Sequence, residues 1–311
     1  MVAKISLGTV ILFTLLFIRC GTNNNETKSN TAEEIIDTLK SKSDTVADLE
    51  SENGYRLPSA LQIAYVSKKS GTTYNASWLN NTKQVTKYNT SNYKRATNFG
   101  IYSSDLANCL FNKKYSESKE YLKALTEMGS YLGLNQAFES DNLGKRFDAN
   151  ISNEDSLVKL VSNIQLKTDI LFEQNKQKHI IVIAFAGAWI ESLNLANESY
   201  LKEKNKKVLN GFCEQILFAS TLIKALEVNS YKETEIAELL ENIKNINNTF
   251  KAIPSVKSIF EKDADLDFTS LQLSDAELAT VTNLIKDLRT KMLVFTRAFI
   301  IYTEWNHKRS R

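Results

Sequence analysis

A chain of 311 residues with only 2 prolines and 10 glycines has few places where it can turn sharply. Sandwiches, barrels and propellers need a tight turn about every ten residues, so this scarcity argues against all of them. What remains is a small number of long helices. Hydrophobic residues at 42% are enough to give those helices a common core, and charged residues at 24% are too few for a disordered polyelectrolyte.

The spacing of apolar residues agrees. Thr31-x-x-Glu34 reads as a capping box opening a short amphipathic helix, and Pro58 fits the first turn of a second one that ends near Lys69. A polar helix is expected from Asn75 to Lys87. A patterned one follows from Asn92 to Asn112, and another over 116–132 is closed by Gly133. After an irregular stretch, Ser152 is placed to cap a helix whose stripe runs Leu157, Leu160, Val161, Ile164, Thr168, Leu171 and Phe172. Residues 205–228 repeat the three–four spacing as a single helix, and Ile236 to Phe250 do so again before Pro254.

Two helices stand out. Ile180–Ile190 (IIVIAFAGAWI) is apolar all round but is followed by Glu191. That run is too short to span a bilayer, so it reads as the central helix of a bundle, over about 179–196. Ala184, Ala186, Gly187 and Ala188 would let neighbouring helices come close, Gly187 above all. Near the other end, Ser274-x-x-Glu277 is a second capping box. Behind it, Leu278, Val281, Ile285, Leu288, Met292, Phe295, Phe299 and Tyr302 recur at alternating steps of three and four. Such a seam packs on one long neighbour in a bundle or zips a dimer; a single bundle running as a monomer is the expectation. The fold expected is therefore all-α: one helical domain over 32–311.

The first residues carry an address. Lys4 precedes an apolar run 14 residues long, Ile5–Ile18, and Arg19-Cys20 follows. At about 1.5 Å per residue, that run falls well short of the roughly 30 Å hydrocarbon core, which suits a signal peptide better than a membrane span. A cysteine directly after such a run resembles the lipobox of bacterial lipoproteins, although Arg19 stands where that pattern has a small residue. The resemblance covers about the first 20 residues. It implies a signal peptide over 1–19, lipidation of Cys20 and a membrane anchor, and the polar, low-complexity stretch 20–31 reads as a flexible tether. Gly21 after the cysteine is similar to lipoproteins sent to the outer membrane of Gram-negative bacteria. Loss of 1–19 would remove Lys4 and Arg19 and leave a formal charge of +1, too little to attract nucleic acid.

Chemistry is sparse. Two histidines and three cysteines are too few for a zinc cluster, and the one Glu-x-x-His spacing, Glu304 with His307, lies at the C-terminus. Phosphate loops, dinucleotide fingerprints and nucleophile elbows are absent, so no cofactor is expected. Cys109 and Cys213 sit among apolar residues and read as buried thiols, with a disulfide between them the alternative. Asp105 and Glu191 each interrupt an apolar helix, and a carboxylate there must be paired, protonated or open to water. They suggest a polar cleft, with Tyr102, Trp189 and Arg95 as its other candidates; a buried structural ion pair is the alternative. The leading functional expectation is a non-enzymatic binding or scaffolding module of the cell envelope, partnered by the membrane and by another envelope protein. An envelope hydrolase using Asp105 and Glu191, or an oligomer formed through the C-terminal helix, are the alternatives.

Overall fold

A computed structural model describes residues 57–138, 142–228, 233–262, 268–269 and 271–294. In chain order its helices are α1 (Ala60–Lys69), α2 (Asn92–Phe111), α3 (Tyr115–Tyr131), the short α4 (Asn135–Phe138) and α5 (Leu143–Ala149), then α6 (Glu154–Gln174) and α7 (Lys178–Glu203). They continue with α8 (Lys206–Ile216), α9 (Phe218–Val228), α10 (Thr234–Ala252), α11 (Pro254–Lys262) and α12 (Asp275–Leu293). Among the described residues there is no strand. The all-α architecture with a central apolar helix is as the spacing implies. The signal peptide, Cys20, the tether, the Thr31 capping box and the seam beyond Met292 lie outside the described residues, as do Glu304 and His307.

Local chemistry sets the ends of these helices. Ser59, Ser91, Asn153 and Ser274 each accept a hydrogen bond from a backbone N–H in the first turn that follows. Ser274 and Glu277 form the expected reciprocal capping box, and Ser59 forms an unexpected one with Gln62, leaving Pro58 just outside α1. Asn153, not Ser152, caps α6. Gly133, at φ +77°, ends α3 while the Leu134 amide donates back to the Gly129 carbonyl.

Two expected helices are broken. Over 75–87 the chain makes two 3-10 segments, Ala76–Trp78 and Thr82–Tyr88, in place of an α-helix. The Asn75 and Asn81 side chains accept from the amides two residues on, Ser77 and Lys83, and each restarts the backbone. Residues 205–228 divide at Leu217. The Trp189 indole donates to the Gln215 carbonyl at 2.8 Å, occupying the acceptor that a continuous helix would offer to the Ala219 amide.

The apolar run at Ile180 lies within a longer helix, α7, around which α1, α2, α6, α8, α9 and α12 pack. α7 is the one described helix long and apolar enough to cross a membrane, and its most apolar 18 residues are 83% buried inside the bundle. Its closest neighbour is α2. A Cβ built on Gly187 would stand 2.0 Å from the Thr97 carbonyl oxygen, and one on Gly100 would stand 1.7 Å from that of Ala184. The two backbones therefore touch directly, as the run of small residues in α7 predicts.

On the other side of α7, Leu278, Val281, Ile285, Leu288 and Met292 are buried against α7, α10 and α2. This part of the seam is covered by its own chain. The end of α12 is also held: the buried Lys94 Nζ donates to the carbonyls of Lys291, Met292 and Val294, and Asn98 Nδ2 donates to that of Met292. Cys109 and Cys213 are buried and free, so no disulfide joins them.

Candidate functional site

Asp105 on α2 and Glu191 on α7 are both wholly buried, and the contact between those helices places them in one cluster. Its cation comes from α12. Arg289 Nε donates to Glu191 Oε2 at 2.6 Å and Nη2 to Glu191 Oε1 at 3.0 Å, a two-pronged ion pair. The same Nη2 donates to Asn80 Oδ1 at 3.0 Å. Asn80 then donates to Asp105 Oδ2 twice, from its backbone N at 3.0 Å and its side-chain Nδ2 at 2.8 Å. Tyr102 and Tyr121 close the arrangement by donating to the carbonyls of Asn81 and Asn80. The 3-10 turns that replace the expected helix are thus tied down by groups from α2, α3 and α12.

The electrostatics of the two carboxyls differ. Glu191 has a guanidinium across both its oxygens. Asp105 has none, and its Oδ1 has no hydrogen-bond partner. Burial first, and the negative charge of Glu191 second, push the Asp105 carboxyl well above the usual carboxylate range, against the opposing hydrogen bonds from Asn80. The neutral acid is the form that suits this site.

Of the five residues expected to line a polar cleft, the structure brings Asp105, Glu191 and Tyr102 together and leaves two elsewhere. Trp189 points to α8, through its bond to Gln215. Arg95 is bound to Asn89 and Asn92 near the start of α2. The partner of Glu191 is Arg289, which lies 98 residues further along the chain. None of the five lines the open cleft between α1, α2, α6 and α7. Two carboxyls catalysing glycoside hydrolysis need room between them for substrate or water, roughly 5–9.5 Å of open separation. Asp105 and Glu191 have no exposed surface at all. The arrangement fits a buried ion pair that fixes the register of α2, α7 and α12.

The open concavity lies on another side of α2 and α7. A cleft of about 220 Å³ is walled mainly by α1, α2, α6 and α7, with Leu125 of α3 and Phe138 of α4 completing it; Leu61, Phe99, Leu106 and Phe172 are among its apolar walls. Gly100, Ala184 and Ala188, where α2 meets α7, also line it, so the close backbone approach forms part of its surface. Leu57, Pro58 and Ser59, just before α1, line it as well. The polar lining includes Gln165 and Asp169, and several of its other groups are already bonded. Ser103 and Ser162 turn their hydroxyls back to carbonyls of their own helices, at 2.7 and 2.8 Å, and Ser59 is engaged in its cap. Lys178 is paired with Glu173 at 3.2 Å. Thr168 differs: the residue is buried, lines the cleft, and its Oγ1 has no partner.

Among the described residues no group of three or more His, Cys, Asp or Glu side chains stands together to hold a metal ion. The chain matches no protein-family model, no curated protein and no solved structure.

Proposed function

We propose that this chain is a lipid-anchored cell-envelope protein that acts as a non-enzymatic binding module and takes an aliphatic ligand into the cleft between α1, α2, α6 and α7. The observation that carries the reading is the cleft itself: about 220 Å³ of open space with apolar walls. An apolar cavity of roughly 150 Å³ is enough to bind benzene, and pockets for drug-sized ligands begin at about 300 Å³. A volume between these suits one alkyl chain and is small for a peptide or an oligosaccharide. Oligosaccharide ligands would also require several converging polar groups, whereas the lining hydroxyls of Ser103 and Ser162 are turned inward to their own helices.

The anchor rests on Cys20 behind the apolar run Ile5–Ile18. It would keep the module at a membrane, where alkyl and acyl compounds are concentrated, and an outer membrane is the location favoured by Gly21. The sealed state of Asp105 and Glu191 weighs against the hydrolase alternative.

Both parts can be tested on the full chain in bacterial membranes. Cys20→Ser should abolish incorporation of a palmitate analogue and release the protein from the membrane fraction; equal labelling of both forms removes the anchor. A photoreactive decyl-diazirine should cross-link to peptides of α2 and α6 that line the cleft. Cross-linking confined to exposed apolar residues such as Val228 and Val294, which are 54% and 53% exposed, would sink the ligand reading.

A further inference from the structure

From Leu57 to Ser104 the chain carries no carboxylate, while Lys68, Lys69, Lys83, Lys87, Lys94 and Arg95 give this stretch a formal charge of +6. The chain without residues 1–19 stands at +1, so everything outside the stretch sums to −5. So steep a separation of charge is the pattern of a molecule that meets an anionic partner on one side. The fold concentrates it. The end of α1 lies beside the ends of α2 and α7: Lys68 Nζ donates to Asn112 Oδ1 at 2.8 Å, the Ser67 and Ser192 hydroxyls are 3.1 Å apart, and the Thr73 amide donates to Ser199 Oγ at 3.0 Å. Along 65–78, three half-buried rings each take a lysine over their face. Lys69 stands 5.2 Å from the centre of Tyr65, Lys114 5.3 Å from that of Tyr74, and Lys202 5.9 Å from that of Trp78. Lys68, Lys69, Lys114 and Lys202 are exposed, and so are two large apolar side chains beside them, Val66 at 40% and Leu201 at 44%. Of the carboxylates around this surface, Glu154 is paired with Lys113 at 3.4 Å, Glu198 with Lys286 at 2.7 Å and Asp275 with Lys204 at 2.8 Å, while Glu117 and Glu203 stand at its border. Helix dipoles favour lysines at three C-termini, but they do not call for rings and exposed apolar side chains among them.

We propose that this surface, formed by the ends of α1, α2 and α7 with the turn at 70–78, docks on an anionic phospholipid bilayer. Its cations are lysines, compact point charges suited to a diffuse field of headgroups rather than to one phosphate held by two prongs. Arg95 and Arg289, which could form such a fork, are engaged within the protein, by Asn89 and Asn92 and by Glu191. Tyrosine and tryptophan rings with one edge buried and the other wet belong at a membrane–water boundary, and Val66 and Leu201 are placed to enter between headgroups. The choice of a bilayer among anionic partners rests on the reading of Cys20 as an anchor. The surface itself does not, and the cleft has no part in it.

The experiment is an acetylation footprint of the full chain in vesicles of phosphatidylcholine alone and in vesicles that also contain phosphatidylglycerol. Lys68, Lys69, Lys114 and Lys202 should react about fivefold more slowly where the anionic lipid is present, the factor that the attraction of one lysine to such a surface supplies. Lys167 of α6 and Lys224 of α9 should not change, and high salt should remove the protection. Equal rates in the two kinds of vesicle, or a slowing shared by Lys167 and Lys224, overturn the proposal. A second measurement dispenses with the acyl anchor. Cys20→Ser in the full chain should float with phosphatidylglycerol vesicles, and adding Lys68→Gln, Lys69→Gln and Lys202→Gln should weaken that binding about a hundredfold at an unchanged melting temperature. Flotation indifferent to the three lysines overturns the proposal whether or not Cys20 is acylated, whereas the anchor reading fails separately, by equal palmitate labelling of wild type and Cys20→Ser. Protection of the same lysines by soluble envelope proteins, with none from phosphatidylglycerol, assigns the surface to an acidic protein and overturns the bilayer.

Discussion

Gly187 of α7 lies against Thr97 of α2 so closely that a Cβ on the glycine would stand 2.0 Å from the threonine carbonyl oxygen. The obstacle is backbone and cannot rotate aside. Gly187→Ala should therefore force the two helices apart, at a cost of about 3 kcal/mol, the upper end of what overpacking usually brings. Gly100→Ala, whose Cβ would meet the Ala184 carbonyl at 1.7 Å, should cost as much. Gly144, with nothing within 4 Å of its position, is the control: Gly144→Ala should leave stability unchanged or slightly raised. Urea denaturation of the three variants checks the ordering.

Removing Arg289 strands a charge. Glu191 has no exposed surface, and both of its oxygens are engaged by the guanidinium. Arg289→Ala should cost about 3–5 kcal/mol at neutral pH, as breaking a buried pair from one side does. Replacing both partners, with Glu191→Leu and Arg289→Met, should recover most of that loss. A double variant as unstable as the sum of the single ones would show that the two residues do not act as a pair.

Asp105 should reveal itself through pH. Its carboxyl titrates higher in the folded chain than in the unfolded one, where about 3.9 is normal. Its contribution to stability is therefore intact in acid below that value and is lost as pH rises towards the folded value, because over that window the folded state holds the extra proton. Asp105→Asn removes the titration and can keep the acceptor for Asn80. The variant should gain on the wild type steadily above pH 4, by up to about 1.4 kcal/mol per unit. Denaturation curves from pH 4 to 8 measure the difference, and a constant gap would exclude Asp105 as its source.

Lys94 acts as a clasp. Its ammonium donates to the carbonyls of Lys291, Met292 and Val294, so it satisfies the last turn of α12 from within the core. Lys94→Met keeps the stem and removes the donors. Hydrogen exchange should then accelerate at the C-terminal end of α12 by about tenfold or more, with α3 unaffected. Truncation after Arg289 should be harsher, because it also deletes the fully buried Met292.

Much of this architecture is legible in the spacing of residues along the chain. The three–four spacing marks nearly every long helix, and an apolar run too short for a bilayer identifies α7 as the centre. Asp105 and Glu191 stood out because a carboxylate within an apolar stretch needs an explanation. Their cation did not, since Arg289 looks like any charged residue flanking the α12 seam and its proximity depends on tertiary packing. Arg95, ten residues before Asp105, was nearer in sequence and is held by Asn89 and Asn92 instead. The cleft was hidden for a different reason. A cavity is the space that packed side chains fail to fill, and the residues around it carry the same apolar pattern as those that fill the core. Thr168 reads as one more member of the α6 stripe, and only its unpaired hydroxyl sets it apart.

The contact between α2 and α7 also determines how the cleft can give. Gly100, Ala184 and Ala188 line it at the place where the two backbones meet, so that part of its surface has no side chain to swing away and no gap to close. Any widening must come from its other walls, α1, α3, α4 and α6. The cleft is therefore stiff where α2 meets α7 and can give only on its other sides. A thicker or branched chain can be admitted only by an outward shift of those other walls, while the side where α2 meets α7 keeps its shape.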